Sequence, residues 1–150
     1  MNAVQSATVP SVAPVDTTAR VPMVGVLRAL LIGEAVATLA LAVFLSMLAA
    51  GLRDSLGGDA GRAAEESVRF AAGAAFLFSI FAAIASRGAR RRRAWSWTLA
   101  AILQVVLAIG TGLAVMVADW HPIFLVGFAA AAIVMLALSA TSVRRALGQE

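Results

Sequence analysis

Four long apolar stretches run along the chain, and polar or charged segments separate them. The apolar stretches cover about residues 24–50, 68–86, 95–117 and 123–140. Each is close to the ~20 residues that an α-helix needs to cross ~30 Å of hydrocarbon, and backbone hydrogen bonding in lipid favours helices at these lengths. A soluble four-helix bundle would need charged outer faces, which these stretches lack. The pattern predicts an all-α, polytopic membrane protein, a bundle of four transmembrane helices.

The segments outside the apolar stretches divide the rest of the chain. Residues 1–20 are rich in Ser, Thr, Val, Ala and Pro without helical periodicity, which predicts a disordered tail. The polar segment 52–67 contains three glycines, and Asp119–Pro122 is typical of a tight turn. We therefore expect a transmembrane domain over residues 21–145, followed by a short tail at 146–150.

Composition supports a membrane protein and excludes several other classes. Hydrophobic residues make up 61% of the 150-residue chain, and the mean hydropathy is +0.92. A soluble domain usually has ~45–50% apolar residues. Cysteine is absent, which excludes disulfides, cysteine-bound metal and thiol catalysis. All twelve basic residues are arginine, a bias that indicates a GC-rich, bacterial genome.

The distribution of arginine predicts the orientation of the helices. Nine arginines fall on the side that carries both termini and the second connection, namely Arg20, Arg28, Arg87, Arg90, Arg91, Arg92, Arg93, Arg144 and Arg145. Three fall on the other side, at Arg53, Arg62 and Arg69. Cytoplasmic loops carry the excess of basic residues. The sequence thus predicts a multi-pass protein of the bacterial plasma membrane with both termini in the cytoplasm.

Small residues recur along one face of the later helices. The second helix has Ala72, Ala75, Ser79, Ala82 and Ser86 at intervals of three and four, and the fourth has Gly127, Ala130, Val134, Ala137 and Thr141. Helices associate in lipid through close packing of small residues. These faces are predicted to point into a left-handed bundle.

Glu34 is the most informative polar residue. It lies ten positions into the first apolar stretch, about 15 Å along a helix and near the bilayer midplane, where acids usually face the bundle interior. Gln104 lies about as deep in the third helix. We predict that Glu34 and Gln104 approach each other, with Thr38 and Thr111 nearby. The group is either a proton or cation site or a neutral acid that is hydrogen-bonded for packing.

Arg87, Arg90, Arg91, Arg92 and Arg93 form the densest cluster of charge. The cluster acts either as a topology signal or as a recognition site for anionic lipid head groups. The bilayer is the expected partner, with anionic lipid, a second copy or another membrane protein as further candidates. The basic pI of about 11.5 needs no nucleic acid to explain it, because the arginines lie at helix ends.

Motifs for catalysis are missing from the sequence. It contains no HExxH, phosphate-binding glycine loop or dinucleotide fingerprint, and no Ser–His–Asp order in a usable context. His121 beside Asp119 is predicted to be part of an ordinary interfacial loop rather than a metal site. We therefore expect no enzyme activity, no cofactor and no bound metal.

Four features together resemble a known group of proteins. They are the mid-helix acid Glu34, the segment RRRAWSW (Arg91–Trp97) before the third helix, an apolar helix carrying Gln104, and the ending SVRRALG (Ser142–Gly148). Over about residues 23–150 the chain resembles uncharacterised small four-helix integral membrane proteins of high-GC actinobacteria. That resemblance implies a four-helix fold in a bacterial cell membrane, and it implies no activity.

Two functions are compatible with these features. GEAVAT (Gly33–Thr38) is similar to the Glu-bearing first helix of small multidrug-resistance transporters, but this chain has a strong charge bias, a long first connection and no Tyr. The leading expectation is a non-enzymatic accessory or partner-binding bundle. The alternative is a small proton-coupled transporter that uses Glu34.

Overall fold

The computed structural model describes residues 22–117 and 123–149, except for three side chains, those of Arg53, Val117 and Ile123. The described residues form five helices and no β-strand: α1 Pro22–Leu56, α2 Gly58–Arg90, α3 Ala94–Val117, α4 Ile123–Ser139 and α5 Thr141–Ala146. The all-helical prediction is confirmed for this part of the chain. The predicted tail at 1–20 and the predicted turn and loop at Asp119–Pro122 lie outside the described residues.

Three of the helices have the length and composition that membrane crossing requires. These are α1, α2 and α3 up to Met116. The apolar helix α4 has 17 residues, at the short end of the ~17–25 residues found for transmembrane helices. Large apolar side chains stay exposed along all four helices, as expected for a surface that meets hydrocarbon rather than water.

The first two helices are longer than the apolar pattern predicted. The segment 52–67, predicted to be a polar connection, is helical except at Gly57. Alanine, arginine and glutamate are good helix formers whether or not they face lipid, so charge in this segment did not end the helices. The chain reverses at Gly57 and Gly58, whose φ angles of 61° and 55° fall in the left-handed region that favours glycine.

Helices α1 and α2 pack along a seam of small side chains. Ala35, Ala42 and Ala49 are buried on α1 at intervals of seven residues, the period of a left-handed coiled coil. Their counterparts on α2 repeat at the same interval and are Glu65, Ala72, Ser79 and Ser86. The Ser79 hydroxyl crosses the seam and donates to the Ala35 carbonyl at 2.8 Å. The inward face predicted for the second helix is the face that packs.

Two glycines mark the closest approaches of α3 to its neighbours. A Cβ placed on Gly88 of α2 would lie 2.7 Å from Ser96 Cβ, and one on Gly127 of α4 would lie 2.7 Å from Thr111 Oγ1. Near the end of α4, the Trp97 indole donates to the Leu138 carbonyl at 3.0 Å. Contacts join α1 to α2, α2 to α3, α3 to α4 and α4 to α1. Helices α1 and α3 therefore lie on a diagonal of the bundle.

The arginine end of the bundle is formed by the start of α1, the α2–α3 turn and α5. Val143 and Leu147 are buried there in the main apolar core, and Gln149 Nε2 donates to the Ala94 carbonyl at 3.3 Å. Leu147 lies in the segment 146–150 that was predicted to be a short cytoplasmic tail, and it is 1% exposed. An isolated leucine after two arginines gives no periodic signal, and its burial depends on α5 turning back against the core.

The opposite end, which carries the α1–α2 turn, is packed less tightly. Among the described residues, α3 has no buried position after Gln104 and α4 has none before Ala131. Leu41 and Leu48 repeat the position of Glu34 at seven-residue intervals, and they are 48% and 43% exposed. The α1–α2 and α3–α4 hairpins therefore close on each other at the arginine end and leave their facing sides open beyond Glu34 and Gln104.

Candidate functional site

Glu34 and Gln104 meet across the diagonal of the bundle. Gln104 Nε2 donates to Glu34 Oε2 at 2.9 Å. The Gln104 side chain has 1% of its surface exposed, and it is the last buried residue among the described part of α3. The two residues that were predicted to approach each other are thus in direct contact, at the point where the tightly packed half of the bundle ends.

The hydrogen bonding of this pair is incomplete. Glu34 Oε1 and Gln104 Oε1 are both buried, and neither has a hydrogen-bond partner. Both are acceptors when the carboxyl is ionised, and a buried acceptor without a donor costs on the order of 1–3 kcal/mol. The pair therefore lacks one donated hydrogen, on the side away from the bond that is formed.

The two threonines do not complete the site. The Thr38 hydroxyl donates to the Glu34 carbonyl at 2.7 Å, with a longer contact of 3.3 Å to the Ala35 carbonyl. Its proton is therefore used within α1. Thr111 lies seven residues after Gln104, about 10 Å along the helix, and packs against Gly127 of α4. The predicted group of four reduces to Glu34 and Gln104.

Sequence reasoning missed a serine that helps to hold this site. Ser79 donates to the carbonyl of Ala35, the residue after Glu34, and so fixes α2 beside the pair. Its place in the small-residue seam was predicted, but its bond to α1 was not. The sequence feature that could have predicted this contact is the seven-residue spacing of Ser79 from Ala72 and Ser86, because that spacing marks a side that faces another helix.

Glu34 is isolated from other charged groups. Between Arg28 and Ala50 of α1, between Phe70 and Ser86 of α2, and throughout α3 and α4, no other side chain ionises. Arg28, the nearest charged residue along the chain, and Arg87 on α2 are exposed at the arginine end. No described group of three or more His, Cys, Asp or Glu could hold a metal ion.

The arginine cluster sits on an ordered turn. Arg87 and Arg90 lie in the last turn of α2, and the chain then reverses through Arg91, Arg92 and Arg93. Arg93 N donates to the Gly88 carbonyl and Arg92 N to the Ala89 carbonyl, both at 3.1 Å. Arg92 has a φ of 51°. These bonds form a Schellman cap, so the cluster is displayed on a fixed backbone.

All charge on the described part of the arginine end is positive. Its arginines are Arg28, Arg87, Arg90, Arg91, Arg92, Arg93, Arg144 and Arg145, and all are exposed. Two ion pairs, Asp59–Arg62 at 3.4 Å and Glu65–Arg69 at 2.7 Å, lie toward the α1–α2 turn. The bundle is thus electrostatically asymmetric along its axis.

A groove runs along the α1–α2 hairpin, and Glu34 is not among its lining residues. Its volume is about 700 Å³. Small residues line its base and include Ala42, Ala72 and Gly73, while Val43, Met47 and Phe76 form its larger walls. The Ser46 hydroxyl donates to the Ala42 carbonyl at 2.8 Å, so the groove is apolar along its length. Arg69 closes one end and is paired with Glu65. Sequence reasoning missed this groove because its lining residues all lie in two predicted helices, and the apolar pattern does not show which sides of the two helices form a common surface.

Comparison of the chain with protein-family models, with curated proteins and with solved structures finds no match. The resemblance to small actinobacterial membrane proteins therefore stays a prediction.

Proposed function

We propose that the chain is a bacterial plasma-membrane protein that crosses the bilayer four times with both ends in the cytoplasm. On this proposal it is a non-enzymatic accessory bundle. It binds a transmembrane helix of a membrane-protein partner in the α1–α2 groove. The observation that carries this function is the groove itself, which has small residues at its base and large apolar residues along its walls.

Charge and length support four spans in this orientation. The stretch from Phe70 to Ser86 lies between Arg69 and Arg87 and contains no charged residue. At about 1.5 Å per residue it is about 26 Å long, close to the ~30 Å of a hydrocarbon core. The exposed arginines at one end match the excess of basic residues on the cytoplasmic side. The ordered cluster from Arg87 to Arg93 would also contact anionic head groups there.

The chemistry of the groove supports a helix as its occupant. Apolar surface alone does not draw helices together in lipid, because the tails are equally apolar. Close approach at small residues does, and Ser46, Ala50 and Gly73, which are exposed in the groove, provide it. From Leu39 to Ala50 the groove extends about 16 Å, or about three helical turns. Large side chains on both walls would then pack against the sides of the incoming helix.

Photo-cross-linking in native membranes tests the proposal. We expect a photoreactive residue at Val43, which is 55% exposed in the groove wall, to give one adduct of defined mass. The same residue at Ile109 on α3, which is 58% exposed, should give none. The adduct mass separates a partner protein from a second copy of this chain. Equal labelling at Val43 and Ile109 would mean that the groove has no specific occupant.

A glycine substitution provides the matched control. A Cβ added at Gly73 or at Gly110 meets nothing within 4 Å, and both positions are exposed, so we expect Gly73→Leu and Gly110→Leu to leave the fold intact. Only Gly73→Leu fills the groove, and it should abolish the Val43 adduct. An adduct that survives Gly73→Leu would contradict the proposed site. A reporter fused to Glu150 and found outside the cell would refute the orientation independently.

Proton-coupled transport is the second candidate, and the Glu34–Gln104 pair favours it. A carboxyl group at mid-membrane depth, next to the open half of the bundle, is the kind of group that exchanges a proton for a substrate. Transport predicts that Glu34→Gln abolishes proton flux into proteoliposomes while the protein still folds. The accessory function predicts that this substitution leaves the Val43 adduct unchanged.

A further inference from the structure

We propose that Glu34 and Gln104 form a proton-binding site in which one proton on Glu34 Oε1 is donated to Gln104 Oε1. Together with the bond from Gln104 Nε2 to Glu34 Oε2, this closes a ring of two hydrogen bonds between a carboxylic acid and a primary amide. The inference deepens the transport candidate, because it places the proton on named atoms. It does not depend on the α1–α2 groove.

The unsatisfied atoms are the basis of the proposal. The structure leaves two buried oxygens without a donor, one on each residue, while the remaining polar atoms of the two groups are already joined at 2.9 Å. A carboxylic acid and a primary amide each carry one donor and one acceptor on this edge. A single proton on the carboxyl, shared between the two oxygens, therefore gives each of them a hydrogen-bond partner.

A proton fits the site better than a metal ion does. Hard cations such as Ca²⁺ take six to eight oxygen ligands, whereas only two unsatisfied oxygens converge here. The Thr38 hydroxyl donates to its own helix and leaves its proton unavailable. The stretches of α1 to α4 that surround the pair contain no second carboxylate and no imidazole among the described residues.

Charged groups near the pair do not supply an alternative donor. On α1 the nearest is Arg28, which precedes Glu34 by six residues and lies on a different face, and on α2 it is Arg87 at the arginine end. Helices α3 and α4 contain no charged residue, and the charged residues of α5 are Arg144 and Arg145, which are exposed. No described arginine is placed to pair with Glu34, so the uncharged acid is the form that the geometry satisfies.

The chemistry balances without any further reactant. The carboxylate takes one proton from water to become a carboxylic acid, and Gln104 is unchanged. When the proton leaves, two acceptor oxygens face each other, one of them negatively charged, and a single hydrogen bond remains between α1 and α3. The protonated site thus ties the two hairpins together more firmly than the ionised site does.

Difference infrared spectroscopy of the full-length protein in lipid tests this assignment, with pH as the perturbation. We expect a carbonyl band of a protonated carboxylic acid that is present in the wild type and absent in Glu34→Gln. Acid–base titration should show about one proton per chain fewer for Glu34→Gln, as a one-proton site requires. Glu66→Gln, which removes an exposed carboxyl, should leave the band unchanged.

A second substitution tests the ring. Gln104→Leu removes both amide partners, so the Glu34 carbonyl band should shift to the frequency of a free acid. If Gln104→Leu is not monodisperse, Gln104→Asn makes the same test, because its side chain is one methylene too short to close the ring. The proposal fails if Glu34 stays ionised at every pH at which the bundle is folded. It also fails if the band keeps its position in both Gln104 variants. Loss of the Val43 adduct would not affect either outcome.

Discussion

The contact between Gly127 and Thr111 gives a quantitative test of how α3 packs on α4. A Cβ added at Gly127 would lie 2.7 Å from Thr111 Oγ1, 3.1 Å from Cγ2 and 3.5 Å from Cβ. Non-bonded carbon atoms are most stable at about 3.5–4.0 Å. Gly127→Ala therefore forces the helices apart or moves Thr111, at a cost of about 1–3 kcal/mol. A gain of up to ~1 kcal/mol in helix propensity offsets part of this cost.

The geometry also predicts a rescue. Thr111→Ala removes Oγ1 and Cγ2 and leaves only Cβ, at an ordinary contact distance from the methyl group that Gly127→Ala introduces. Alone, Thr111→Ala should lower the free energy of unfolding by about 1 kcal/mol through lost apolar contact. In the double variant the two changes compensate, and we expect a favourable coupling energy of about 1–3 kcal/mol.

Equilibrium unfolding in mixed micelles, followed by tryptophan fluorescence, measures all four members of this cycle. Gly110→Ala on α3 is the control, because nothing lies within 4 Å of the added methyl group, and its stability should be unchanged or higher. If the effects of Gly127→Ala and Thr111→Ala simply add, the two residues do not face each other, and the α3–α4 packing described above is wrong.

Three further predictions concern the arginine end and use the same unfolding measurement. Gly88→Ala should lower the free energy of unfolding by about 2–3 kcal/mol, because the added Cβ would lie 2.7 Å from the Ser96 Cβ, which is fixed to the α3 backbone. A higher free energy of unfolding, as expected for alanine in an isolated helix, would contradict the close approach. Trp97→Phe should cost about 1 kcal/mol through loss of the bond to the Leu138 carbonyl, and an unchanged stability would mean that this bond is not formed in lipid. Leu147→Ala should cost about 2–4 kcal/mol, whereas a residue in a free tail would cost nothing.

The sequence predicted the four apolar helices from the length of the apolar stretches, and the packing face of α2 from its periodicity. An apolar stretch of sufficient length has few alternatives to a helix in lipid, and small residues at intervals of three and four mark the side that another helix approaches. Residues 52–67 were predicted to be a polar connection, but they are helical except at Gly57. Hydropathy indicates where a helix leaves the hydrocarbon, and a helix can continue beyond that point. The helix formers in this segment extend α1 and α2 as far as the two glycines.

The candidate site was only partly predictable. Counting residues from the arginine end of the helices put Glu34 and Gln104 at a similar level, and the structure brings the two side chains into contact. Few polar side chains compete for contact at that level. The level of a residue along its helix does not determine which neighbour its side chain contacts, however. The Thr38 hydroxyl donates to a carbonyl of its own helix. The Thr111 side chain packs against Gly127 of α4. Both choices depend on neighbours that the sequence does not identify.

The position of the Glu34–Gln104 pair along the bundle bears on what a proton there can do. A bond inside the tightly packed half would change little, because Leu31, Leu103 and Val134 already hold the helices together. A bond far into the open half would compete with water or lipid. The pair lies at the boundary, because Gln104 is the last buried residue in the described part of α3 and its amide bonds directly to Glu34 of α1. Under the proposed protonation, gain or loss of one hydrogen bond at this point shifts where the two hairpins separate, which is how a single buried proton can influence the open half of the bundle.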